Sequence, residues 1–217
     1  MRILTICDEE SPGLWDYYIP GKLAEYDLIL SCGDLKAEYL EFLVTMARCP
    51  VLYVHGNHDG DYANNPPQGC DCIDGRIVVY NGLRILGLGG CRKYRPGPHQ
   101  YTEGQMSRRI RKLRWKLRLL GGVDIIVTHA PPEGWGDSDD HAHRGFRCLE
   151  KLVASFQPRY LFHGHVHTHY GVNRPRVLRL GDTRIVNACG RYVLNIPEGS
   201  FREKDRGRLI WKTRHKE

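Results

Sequence analysis

The sequence predicts an α/β fold, on three observations. Short apolar runs rich in β-branched residues recur along the chain, helical stretches lie between several of them, and Asn81-Gly82 marks a tight hairpin. The run 2–7 (RILTIC) reads as a buried strand, followed by 26–32 (YDLILSC) and 51–56 (VLYVHG). A helix is expected between the last two, at about 36–48. The segment 76–90 (RIVVYNGLRILGLGG) reads as a hairpin turning at Asn81-Gly82, a pair that accepts the positive φ of a two-residue turn. A helix over 102–120 comes after it, with Met106, Ile110, Leu113, Leu117 and Leu120 at three-to-four spacing. Next come a strand at 123–128 (VDIIVT), a helix at about 144–156 and a strand at 160–164 (YLFHG). Three further strand-like runs, 176–180, 183–189 and 191–197, complete the pattern.

A length of 217 residues suits one sizeable domain, expected over 1–197 with a basic tail at 198–217. Hydrophobic residues at 41% and charged residues at 26% are the proportions of a globular chain with a real core, which sets disorder aside. No apolar run approaches the roughly 20 residues that span a bilayer, so no membrane partner is expected. The opening MRILTICDEE is too short in apolar residues for a secretory signal and runs into acids, so a cytoplasmic location is expected. Eight scattered cysteines, most of them inside apolar runs, read as reduced thiols rather than a disulfide framework. The Cys70-x-Cys72 pair lacks the second pair of a structural zinc site. The net charge of +7 suits an anionic substrate or partner, and much of it lies in 107–120 (SRRIRKLRWKLRLL). That outer helix face is either a solvated surface or a patch for nucleic acid or phosphoprotein. The sequence sets no oligomeric state.

The chemistry lies at the carboxyl end of each strand. Asp8 stands after the first, Gly33-Asp34 after the second and Gly56-Asn57-His58-Asp59 at the end of the third. His129 ends the strand at 123–128, and His165-Val166-His167 ends the strand at 160–164. In α/β sheets, ligands bind at the carboxyl ends of strands. Polar and charged groups are rarely buried without partners, so a purely structural account of all five ends fails. The mixture of imidazole and oxygen donors without thiolate suits Mn, Fe, Zn or Mg. In YLFHGHVHTHYG (160–171), histidines at alternate positions can aim at one point from a strand.

This ordered set, Asp8, GD (33–34), GNHD (56–59), TH (128–129) and GHVH (164–167), resembles the calcineurin-like metallophosphoesterase family, across residues 4 to about 190. GNHD with a downstream GHxH is its specific part. The resemblance implies a four-layer α/β/β/α sandwich, two mixed sheets packed together with helices outside, the late strands joining the second sheet. It implies two divalent cations, Mn foremost with Fe, Zn or Mg as alternatives, bridged by Asp34. Asn57, His129 and His165 would complete one site, Asp8 and His167 the other. A hydroxide held between the cations would attack a phosphate ester, and His58 would be the catalytic histidine that stabilises charge or protonates the leaving oxygen. Asp59 would orient His58, or would serve only as a turn residue before Gly60.

One departure stands out. Where the family has D-x-H, this chain has Asp8-Glu9-Glu10. Three outcomes stay open: Glu10 ligates through oxygen, Glu10 faces solvent and leaves that site weak, or catalysis is lost. Gly164 is expected to permit the bend that brings His165 and His167 to the metals, with His163 in the core and His169 at the rim. Asn187 is expected to be structural. The long polar loop 129–145 is the kind that shapes a pocket mouth, and Arg92, His143 and Arg144 are candidates for contacting phosphate. The expected function is a metal-dependent phosphoesterase acting on monoesters or diesters. The rivals are a non-catalytic module of the same fold and a nuclease using the basic helix.

Overall fold

The computed structural model describes residues 1–167 and 175–197. His169 and the tail at 198–217 lie outside the described residues. In chain order the strands are β1 (Arg2–Cys7), β2 (Leu28–Ser31), β3 (Val51–Tyr53), β4 (Asp71–Cys72), β5 (Ile77–Tyr80), β6 (Leu83–Leu88), β7 (Cys91–Arg92), β8 (Gln100–Tyr101), β9 (Ile125–Thr128), β10 (Tyr160–His163), β11 (Val177–Leu180), β12 (Thr183–Asn187) and β13 (Gly190–Asn195). The helices are α1 (Ala37–Met46), α2 (Glu103–Leu119) and α3 (Arg147–Phe156). One sheet runs β13-β1-β2-β3-β4, a second runs β11-β12-β10-β9-β6-β5, and β7 pairs with β8 in a two-stranded ribbon.

Alternation along each strand explains why both sheets are apolar on two faces. Ile3, Leu28, Leu30, Leu52 and Val54 from the first sheet meet Ile85, Ile125, Val127, Phe162 and Val186 from the second, filling the space between them. The opposite face of the first sheet, with Leu4, Ile6 and Ile29, buries Tyr39, Leu40 and Leu43 of α1. The opposite face of the second sheet, with Leu86, Ile126 and Leu161, buries Met106, Ile110 and Leu117 of α2 and Leu149, Leu152 and Val153 of α3. The layers are therefore helix, sheet, sheet, helix, as expected of the four-layer sandwich. Each fully buried Leu or Ile contributes roughly 1.5–3 kcal/mol.

The local signals held where the chemistry was local. Tyr80 pairs with Leu83 across Asn81 (φ 47) and Gly82 (φ 81), a two-residue turn with both central residues left-handed. At the start of α2, the Thr102 hydroxyl accepts from Gln105 N at 3.2 Å, and Gln105 Oε1 accepts from Thr102 N at 2.8 Å. This reciprocal pair closes the capping box and fixes where the helix begins. Two expectations need correction. The helix expected from 144 starts at Arg147, because residues 144–146 carry the end of the preceding loop into an extended Phe146 (ψ 126). And the late strands do not all join the second sheet: β13 pairs antiparallel with β1 in the first, from Arg2↔Asn195 to Cys7↔Gly190.

Within the first sheet β1, β2 and β3 are parallel, and within the second β6, β9 and β10 are parallel. Two rows of strand carboxyl ends result, and the seam between them is where the polar residues gather. His165 N donates to Asp8 Oδ2 at 2.9 Å, tying the end of β10 to the end of β1.

Candidate functional site

Every polar strand end named from the sequence reaches this seam. Asp34 Oδ2 lies 3.3 Å and Asn57 Oδ1 3.1 Å from His129 Nε2, which is fully buried. His129 Nδ1 lies 2.9 Å from the Cys32 carbonyl; bonded there as N–H donor, it leaves Nε2 facing the two oxygens. One donor atom each of Asp34, His129 and His165 fits within a 4.8 Å group. Asp8, His129 and Cys7 form a second such group, and Glu9, His167 and Cys189 a third. Two oxygens and an imidazole nitrogen converging away from solvent require a cation between them, either a proton or a metal. Their hard and borderline donors fit a divalent ion.

The backbone is strained where these residues sit. Asp8 (φ 61), Asp34 (φ 57) and His165 (φ 66) all occupy the left-handed region, a cost of about 1–3 kcal/mol each that clusters at functional sites. Gly164 is not the bent residue; His165 is. The glycine is there for space: a Cβ on it would lie 1.9 Å from Cys7 Sγ and 2.4 Å from Asp8 Oδ2. Gly56 is required in the same way, with its virtual Cβ 1.9 Å from Asp34 Oδ1.

The electrostatics divide the site. Burial pushes the Asp34 carboxyl up, but the His129 charge and hydrogen bond and the His58 N–H at 2.8 Å outweigh it and hold it at about 2. Burial pushes His129 down, yet Asp34 and Asp8 carry it up to about 10. His165, pushed down by burial and then by the His129 charge, sits at about 3, so its imidazole is neutral. Burial raises Asp8, against the pull of the His129 charge. His163 is a core residue as expected: 1% exposed, bonded at 3.0 Å to Gly164 O and lowered by burial to about 4.

His58 stands at the mouth with its side chain 63% exposed and Nε2 4.0 Å from Asp34 Oδ2. Among the described residues no hydrogen bond joins Asp59 to His58. The short 3-10 helix Asp59–Ala63 turns that carboxylate inward, where Oδ2 accepts from Gly56 N at 2.7 Å and Asp34 N at 2.9 Å. Asp59 thus clamps the two loops that present Asp34 and Asn57. Glu10 turns to Lys36 (3.5 Å), while Glu9 Oε1 lies 3.3 Å from His167 Nδ1. Arg92 and Arg144 both approach Glu133 at 3.8 Å, and Arg92 donates to Gly145 O at 3.3 Å, so both are engaged with the loop. His143 bonds Asp140 at 2.9 Å, its ring 5.0 Å from that of His165. Asn187 is structural: it donates to Val166 O at 2.7 Å and accepts from Cys189 N, bracing the GHVH turn.

Sequence reasoning missed Glu9 and a network behind Asn57. His55 Nδ1 lies 3.3 Å from Asp74 Oδ2, its ring stacked at 4.2 Å on His99. Asp74 also accepts from Gly89 N at 2.7 Å and pairs with Arg109. Arg109 belongs to the basic helix, so part of that face is an interior tie. The helical spacing could have flagged it, since Arg109 sits beside Ile110 and three residues after Met106.

Comparison with known proteins shows the family and the fold. A UPF0046 protein of Caenorhabditis elegans is 26% identical over 196 residues, covering 75% of this chain and 62% of its own. The lariat debranching enzyme of Drosophila pseudoobscura pseudoobscura is 28% identical over 205 residues, covering 69% of this chain and 38% of its own. The chain thus spans less than two thirds of the length of either relative. Among solved structures, TT1561 of Thermus thermophilus superposes with a TM-score of 0.57 at 16% identity, over 87% of this chain and 89% of that one. Another superposes at 0.65 and 15% identity, over 89% and 94%. Both show the same fold. The model of the calcineurin-like phosphoesterase family matches residues 11–169, and the chain belongs to that family.

Proposed function

We propose that the protein is a metal-dependent phosphoesterase that hydrolyses phosphate monoesters or diesters. The observation that carries this is the convergence of Asp34, Asn57, His129 and His165 at the seam, with Asp8 and His167 beside them and the backbone strained at three of the six. The family is metal-dependent, and the clustered donors can hold cations. Asp34, Asn57, His129 and His165 would hold one ion and Asp8, Asp34 and His167 another, with Mn the best match to the donors. When bound, the cations supply Lewis acidity, offsetting charge on phosphoryl oxygens and acidifying water.

The chain's own residues do the rest. His58, its N–H bonded to Asp34 Oδ1 and its ring at the mouth, is placed to protonate the leaving oxygen. Asp59 keeps Asp34 and Asn57 at fixed separation. His143, held by Asp140 next to His165, would be the loop residue to contact a phosphoryl oxygen. The engagement of Arg92 and Arg144 with Glu133 makes them secondary. All eight cysteines are thiols, which suits a reducing, cytoplasmic setting, and no helix among the described residues is long and apolar enough to cross a membrane.

A second reading, hydrolysis of nucleic-acid diesters, rests on the similarity to lariat debranching enzymes and on the outer face of α2. There Arg108, Arg111, Lys112, Arg114 and Arg118 are exposed around Trp115, itself 64% exposed. Turnover of a nitrophenyl monoester and a bis-nitrophenyl diester, with and without Mn, tests the main reading. Complete inactivity with Mn, Fe, Zn and Mg in a folded protein would leave a binding module. The second reading requires nucleic-acid affinity that falls steeply with salt.

A further inference from the structure

Asp8-Glu9-Glu10 offers two glutamates to the seam, and the fold separates them. Asp8 is left-handed, and Glu9 N donates back to Cys7 O at 2.6 Å, a three-residue turn that reverses the strand direction. The turn breaks the alternation that would put residues 8 and 10 on one face. Glu9 is the one that returns. Its Oε1 lies 3.3 Å from His167 Nδ1, and donor atoms of Glu9, His167 and buried Cys189 fit within 4.8 Å. The Glu10 carboxylate instead faces Lys36 Nζ at 3.5 Å. Both glutamates line one cleft of ≈ 700 Å³ with Asp8, Asp34 and His58, and what separates them is the partner each faces.

We propose that Glu9 completes the cation site that Asp8, Asp34 and His167 would form, taking the place that the family gives to a histidine two residues after the aspartate. This rests on the metal-dependent reading above. The resulting site has three carboxylates and one imidazole, with the Cys189 sulfur within 4.8 Å of the Glu9 and His167 donors. Its neighbour has one carboxylate, one amide and two imidazoles. Oxygen-rich donors favour Mn²⁺ or Mg²⁺, so the two sites differ in their preferred ion, and the Glu9 site is the harder of the two.

Titration of the metal-free full chain with Mn²⁺, with bound ions counted by elemental analysis, tests this. Glu9 is 39% exposed at the cleft, and Glu9→Gln keeps its shape, so folding is checked by circular dichroism rather than assumed. Wild type should bind two ions. Removing even an outer partner of a metal ligand costs about 10–100-fold in affinity, so Glu9→Gln should weaken the second ion by at least that range while the first stays at wild-type affinity. Glu10→Gln should bind both as wild type does. Two ions bound at wild-type affinity in Glu9→Gln, or loss of the second ion in Glu10→Gln alone, would overturn the assignment. A wild type that binds one ion overturns it too and leaves the metal-dependent reading standing; a wild type that binds none sinks that reading itself.

Discussion

Replacing Gly164 with alanine tests the geometry of the seam most directly. The added Cβ would sit 2.4 Å from Asp8 Oδ2 and 1.9 Å from Cys7 Sγ. To regain ordinary contact, the Asp8 carboxylate must withdraw by about 1 Å, and the sulfur by more. Overpacking of this kind costs about 1–3 kcal/mol. At about 2–4 °C per kcal/mol for a chain of this size, the Tm should fall by about 2–12 °C. Function should suffer more than stability, because a displacement of ~1 Å in a positioned group can cost ~10²-fold in rate. Mn²⁺ affinity by calorimetry, kcat/KM on a nitrophenyl ester and Tm should be measured together. Gly104→Ala is the control, because its Cβ meets nothing nearer than Thr102 Oγ1 at 4.0 Å, and in a helix the change should be neutral or stabilising by up to about 1 kcal/mol. If Gly164→Ala matched the wild type in all three measurements, the close approach of β10 to Asp8 would be wrong.

His58→Ala should lose ~10²–10⁴-fold in kcat with metal content intact, and unchanged turnover would remove its role as proton donor. Asp59→Ala deletes two hydrogen bonds to a buried carboxylate, worth about 1.5–3 kcal/mol each, with Asp59→Asn losing roughly half as much. A loss below about 1 kcal/mol in urea unfolding of the alanine variant would contradict the clamp. In the metal-free protein His129 is raised to about 10, so its stabilisation is full below its unfolded value near 6.5 and is lost as pH rises through about 10. Asp34, held at about 2, contributes stability that is present above about 4 and lost as pH falls through about 2. Mn²⁺ at a hundredfold over Kd should add about 2.7 kcal/mol and flatten the alkaline decline, since a ligating imidazole carries no proton there. Tm profiles against pH that run parallel with and without Mn²⁺ would refute this.

The five polar strand ends were legible because each comes directly after a β-branched run, and the carboxyl end of a buried strand is a place that local sequence marks. Asn81-Gly82 and the start of α2 at Thr102 were legible for the same reason: their chemistry is complete within a few residues. The sheet that takes β13 was not, because the choice between two partners is decided by contacts nearly the whole chain apart. The inward turn of Asp59 was not legible because its neighbour in sequence is His58, whereas the 3-10 turn points its carboxylate back under Gly56. The choice between Glu9 and Glu10 needed the sign of φ at Asp8, and nothing in an Asp-Glu-Glu string announces it. The engagement of Arg92 and Arg144 was not legible because Glu133, far from Arg92 in sequence, could not be placed beside them.

The acids and the amide arrive on one sheet, and the imidazoles of His129 and His165 on the other. Neither half is a centre without its mate. Positive charge lodged between them acts as a clasp on two shells whose apolar floors are already glued, and the lip is where they would part if it were withdrawn. Amide protons at that lip, His165 N among them, should then trade with solvent faster when the clasp is gone.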